Sequence, residues 1–176
     1  MNMQMADDDM DYHLARLLIL LSEFGPPGTK GLDGLTKLAK LDFLLRYPTF
    51  TDRLLEQRQA EWPLGGEPSH EETWAVESRM IRYKYGPWDN RYYPLIGRLV
   101  GFGLAEPIKG KGRTSLRLTD KGAEIAVRIS ATEEWQIVAA RTRMLKKRFN
   151  LSGNALKKLI YDSLPDAVDR PHWEEI

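Results

Sequence analysis

The chain has 176 residues, 42% hydrophobic and 29% charged, with a formal net charge of +1 and no cysteine. That length holds one core with room for a helical appendage. The composition excludes disordered and collagen-like classes, and the lack of cysteine excludes disulfides, thiol nucleophiles and thiolate metal sites. The longest apolar run, Leu17 to Leu21, falls far short of the ~20 residues of a membrane span, and the N-terminus is acidic where an export signal is basic. No membrane partner and a cytoplasmic address are therefore expected.

Residues 1–11, with Asp7, Asp8, Asp9 and Asp11, read as a flexible acidic leader. Over 12–24, Leu14, Leu17, Leu18 and Leu21 recur at three- and four-residue spacing, which predicts a helix with one apolar face; Gly25-Pro26-Pro27-Gly28 ends it. A second amphipathic helix is expected over 32–47, burying Leu35, Leu38, Leu41, Leu44 and Leu45 and leaving Lys37, Lys40 and Arg46 outside. Residues 49–60 read as a short third helix capped by Thr49 or Thr51. Residues 61–73 hold two prolines and adjacent glycines and read as an exposed loop, either a contact loop or a flexible insertion. Between 74 and 85 the pattern fits either a strand near Met80 to Lys84 or a helix starting at Thr73.

From Asp89 the pattern sharpens. Asp89 or Asn90 is placed to cap a helix over 91–102 whose inner face is Tyr92, Leu95, Ile96, Leu99 and Val100, and Gly103 ends it. Residues 104–108 and 114–118, joined by the glycine-containing turn Lys109-Gly110-Lys111-Gly112-Arg113, predict a β-hairpin. Thr119 then caps a helix over 123–129, and two further helices are expected over 133–149 and 152–163. The order helix, helix, insertion, helix, hairpin, helix, with the phrase LVGFGLAEPIKGKGRTSLRLTDKGAEIA, resembles a winged helix-turn-helix. The expected fold is mainly α with a small β-hairpin (α+β). It comprises a winged-helix domain over 12–131 with an inserted helix and loop at 49–73, C-terminal helices over 132–164 and a tail over 165–176.

Catalytic chemistry finds little support. His13, His70 and His172 are isolated from other ligand types and read as solvated. No phosphate loop or nucleophile elbow occurs, so no catalytic residue, metal or cofactor is expected. Charge, by contrast, is unevenly spread. Between Arg79 and Lys121 there are ten basic and three acidic residues, net +7. The winged-helix resemblance implies DNA contact for Arg91 and Arg98 on the third helix and for Lys109, Lys111, Arg113 and Arg117 in the wing. The alternative is a solvated charged face. A second run, Arg141, Arg143, Lys146, Lys147, Arg148, Lys157 and Lys158, contains no acid and reads as a face for solvent or an acidic partner. Tyr83, Tyr85, Trp88, Tyr92 and Tyr93 suit a core edge or protein interface better than base stacking. Tyr85, Trp88, Tyr92, Tyr93, Arg141, Lys146, Lys147 and Arg148 are therefore the candidate protein-interface residues.

The stretch Arg82-Tyr83-Lys84-Tyr85-Gly86-Pro87-Trp88-Asp89, continuing through Tyr92-Tyr93 to Leu118-Thr119-Asp120-Lys121-Gly122, is similar to the middle component of bacterial three-component ABC ATPase defence systems, the Lamassu-like group. Arg148-Phe149-Asn150-Leu151-Ser152 and Leu159-Ile160-Tyr161 resemble its helical end, so the likeness spans roughly the second half of the chain. The Tyr-Gly-Pro phrase before a helix also resembles the Panacea antitoxin domain. The first resemblance implies a non-catalytic accessory subunit that bridges an SMC-like ATPase and a nuclease or other effector, with duplex DNA as a further contact. A free-standing transcription regulator, acting as a symmetric dimer, or an antitoxin is the alternative.

Overall fold

The computed structural model describes residues 9–74, 81–83, 86–110 and 112–165. In chain order these form α1 (Met10–Phe24), β1 (Leu32–Asp33), α2 (Gly34–Arg46), α3 (Pro48–Gln57), α4 (His70–Trp74), β2 (Ile81–Tyr83), β3 (Gly86–Trp88), α5 (Tyr92–Gly101), β4 (Ala105–Lys109), β5 (Thr114–Leu118), α6 (Asp120–Ser130), α7 (Gln136–Phe149) and α8 (Gly153–Ser163). The architecture is mainly helical with small antiparallel sheets, an α+β fold.

Strands β4 and β5 make the expected hairpin, in register from Ala105 opposite Leu118 to Lys109 opposite Thr114. Its turn closes with the Gly110 amide donating to the Arg113 carbonyl at 3.1 Å. Gly112, at φ +89°, occupies the left-handed region that glycine enters without steric cost. The sheet gains a third strand that sequence periodicity did not suggest: Leu32 and Asp33 pair with Leu116 and Ser115, giving the order β1-β5-β4. Two residues are too few to display alternation, and the leucine pattern of α2 runs straight into them.

Helix α1 departs from the single apolar face expected of it. Ile19 and Leu20 are buried along with Leu14, Leu17, Leu18 and Leu21, because α5, α6 and α7 all pack around it. A helix enclosed by its neighbours buries more than one stripe. Ile19 meets Trp135 and Ala139, which joins the C-terminal helices to the same body. Helix α2 packs on α8, α7, α3 and the sheet, so one core runs from α1 to α8.

Thr119 caps α6 as expected, accepting from the Gly122 amide at 3.1 Å while donating to the Gly103 carbonyl at 2.6 Å. The glycine of this Leu-Thr-x-x-Gly phrase is required by close approach, since a Cβ at Gly122 would overlap the Leu104 carbonyl oxygen. Gly122→Ala is expected to lower stability by about 1–3 kcal/mol, the usual cost of overpacking, read from urea unfolding. An unchanged midpoint would contradict this packing.

The segment over 61–73 is mostly exposed, as expected, and is also held by specific hydrogen bonds. Ser69 and Glu72 form a reciprocal cap at the start of α4, Glu72 N to Ser69 Oγ at 3.1 Å and Ser69 N to Glu72 Oε2 at 2.9 Å, the Ser-x-x-Glu arrangement of a capping box. Arg141 of α7 holds the segment from beneath. Its guanidinium donates to the carbonyls of Gly66 and Glu67 and to both carboxylate oxygens of Glu72, at 2.7 to 3.0 Å.

Candidate interaction site

A buried polar cluster fixes where α5 begins. Asp42 on α2 is fully buried and accepts from Arg16 Nε at 2.7 Å, Arg16 Nη2 at 3.3 Å and the Tyr92 hydroxyl at 2.7 Å. Arg46, one turn along α2, donates to Asp89 at 2.8 Å and lies 3.9 Å from Asp42. Asp89 in turn accepts from the backbone amide of Arg91 at 2.9 Å and from its guanidinium. Burial pushes the Asp42 and Asp89 carboxyls up, but their arginine partners outweigh it. Both end below the usual carboxylate range, Asp89 at about 2. The Tyr92 hydroxyl is raised well above its usual value by burial and by the Asp42 charge.

His13 completes the cluster and corrects its reading as a solvated histidine: it is wholly buried. Its Nδ1 lies 2.9 Å from Arg16 Nη2 and its Nε2 2.7 Å from Arg91 Nη1. Arg46 and Lys40 are likewise buried, where the amphipathic reading of α2 put them outside. For His13 and Arg46 the reason is shared, whereas Lys40 is buried at the cost of a lowered ammonium pKa. Charged groups enter a core when hydrogen-bonded partners from other segments meet them there, and helical periodicity does not report those partners. The cluster ties α1, α2 and the β3–α5 junction together.

With Tyr92, Leu95 and Leu99 buried beneath it, α5 presents an outer face that is largely apolar. Tyr93 is 64% exposed, Phe102 59% and Val100 37%, although Val100 was expected on the inner face. Pro94, Gly97 and Gly101 share the exposed side, and a Cβ at either glycine would meet nothing within 4 Å. Arg98 is exposed on the same helix, and Lys121 reaches its end, donating to the Phe102 carbonyl at 3.1 Å.

Five of the six residues assigned to DNA lie within the described residues. Arg91 turns inward to Asp89 and His13. Arg113 pairs with Asp33 at 3.3 Å, and Arg117 with Glu106 at 2.6 Å and the Thr29 carbonyl at 3.0 Å. Arg98 and Lys109 are exposed, and Lys111 lies outside the described residues. Of the interface candidates, Tyr93 is exposed, Trp88 half-buried against Tyr92 and Tyr93, and Tyr92 buried. Tyr85 lies outside the described residues, as does His172. Arg141 is inside, beneath the 61–73 segment and over the Trp62 ring. Lys146 lies over the Phe24 ring, while Lys147 and Arg148 are exposed.

No family model matches the chain, and neither curated proteins nor solved structures give a match. Among the described residues, no group of three or more His, Asp and Glu is arranged to hold a metal, and no helix is long and apolar enough to cross a membrane.

Proposed function

We propose that this protein is a non-catalytic, winged-helix accessory subunit that docks a helix of a partner protein on the outer face of α5. The winged-helix reading is supported by the order α1, β1, α2, α5, β4, β5 with sheet order β1-β5-β4, in which α3, α4 and the β2–β3 hairpin are an insertion before the third helix of the motif. The carrying observation is the apolar outer face of α5. A helix that reads base edges needs polar and cationic side chains, whereas Tyr93, Val100 and Phe102 around Arg98 have the aromatic and arginine composition of a protein contact.

The occupant that fits is an amphipathic helix carrying an acidic residue. Gly97 and Gly101, one turn apart with open space above them, let another helix approach closely, and Arg98 with Lys121 offers positive charge beside the apolar strip. A coiled-coil ATPase presents such helices, which agrees with the Lamassu-like resemblance of the Arg82–Tyr93 stretch; that resemblance extends the reading to a subunit bridging an SMC-like ATPase and an effector. Tagged chain purified from its native host is expected to bring down the ATPase or effector encoded beside it, and Tyr93→Ser with Phe102→Ser to reduce recovery at least tenfold. Full recovery by the double variant would overturn the docking face. A symmetric dimer with a sequence-selective DNA footprint would favour the transcription-regulator alternative.

A further inference from the structure

Cations from three elements gather at the C-terminal end of α7. Lys37 of α2 and Lys146 of α7 converge on one ring, their Nζ atoms 5.8 and 5.1 Å from the Phe24 centroid. Lys37 also donates to Asn150 Oδ1 at 3.0 Å. Arg58, just past α3, donates to the Arg148 carbonyl at 2.7 Å and lies over the Phe149 ring at 4.7 Å. Lys147 and Arg148 are exposed beside them, and the sequence holds no acid between 141 and 158.

We propose that this seam between α2, α7 and α8 binds the phosphate backbone of duplex DNA, with Lys37, Arg58 and Lys146 as its central contacts. The charge is crowded and only partly offset: the Lys37 ammonium is held below its usual range by burial and then by Lys146, and Asp33 opposes this only in part. Burial, and then Lys157, lowers Lys40 in the same way. An anion arriving here relieves repulsion already present. The cations come from separate elements, which suits a row of phosphates, and lysine binds phosphate as a point charge. Such contacts hold the backbone without reading sequence. The wing, by contrast, has Arg113 and Arg117 already paired with acids.

The test uses the full chain alone, so it does not depend on any α5 partner. Binding to a fluorescent 20-base-pair duplex is followed by anisotropy between about 25 and 200 mM salt. Lys37→Gln, Arg58→Gln and Lys146→Gln together are expected to weaken binding at least tenfold at low salt. The log–log salt slope should fall by about 2.7, roughly 0.9 for each phosphate that is no longer neutralised. Lys37→Arg with Lys146→Arg should retain both. Arg98→Gln with Lys109→Gln should leave the slope unchanged. Because Lys37 and Arg58 also brace α7, the exposed Lys147→Glu supplies a second variant, expected to weaken binding without shifting the melting temperature. An unchanged slope in the triple variant would overturn the proposal. So would displacement of the duplex by polyglutamate as effectively as by unlabelled duplex, which would assign the seam to an acidic protein.

Discussion

Asp42→Ala is expected to destabilise the fold by about 3–5 kcal/mol, the cost of leaving buried charges without their counter-ion. Asp42 is the point where Arg16, Arg46 and Tyr92 meet, so its removal takes the carboxylate from the buried Arg16 guanidinium and the acceptor from the Tyr92 hydroxyl, and leaves Arg46 with Asp89 as its carboxylate. Tyr92→Phe is the graded control. It removes one hydrogen bond to the same carboxylate and should cost about 1–2 kcal/mol. Urea unfolding followed by circular dichroism measures both. If Asp42→Ala falls within about 0.5 kcal/mol of the parent, the range of an ordinary surface substitution, the cluster does not hold α5 to α1 and α2.

Lys40→Met is expected to act in the opposite direction and to change the pH profile. Lys40 is 1% exposed, and burial, reinforced by Lys157, lowers its ammonium to about 7 from 10.5. Between those values the unfolded chain binds a proton that the folded chain does not, so stability rises as pH increases across that window. Below about 7 both states are protonated and the full cost of the buried charge is present. The shift corresponds to roughly 5 kcal/mol as an upper figure. Lys40→Met should raise stability at pH 6.5 and abolish the rise between pH 7 and 10. Parallel profiles for parent and variant would contradict the burial of a charged amine in the α2–α8 seam.

What was legible in the sequence was local. The β4–β5 hairpin showed in its alternation and glycine turn, and the cap of α6 in Thr119, because each signal lies within a few residues of what it determines. Long-range pairing was not legible. β1 is two residues long and owes its existence to β5, more than eighty positions later. His13, Arg16, Asp42 and Arg46 look like the polar faces of two amphipathic helices until Asp89, Arg91 and Tyr92 arrive to neutralise them. Arg141 belonged to a basic run by sequence, yet its role is set by carbonyls of Gly66 and Glu67. One signal was present and unused, since the Ser69-x-x-Glu72 spacing announces the cap that orders the 61–73 segment.

The α5 face shows the same division. Periodicity separated Leu95 and Leu99 from the surface, but the exposure of Val100 and Phe102 depends on α5 packing against β4 and α1, which lie far away in sequence or on another element. The most direct test of that face is a photo-activatable cross-linking residue placed at Gly97, where a side chain has open space, in tagged chain expressed from its native operon. A covalent product with the neighbouring ATPase or effector, absent when Tyr93→Ser and Phe102→Ser are added, is the predicted result. Cross-links confined to DNA or to a second copy of the chain would contradict the docking of a partner helix on α5.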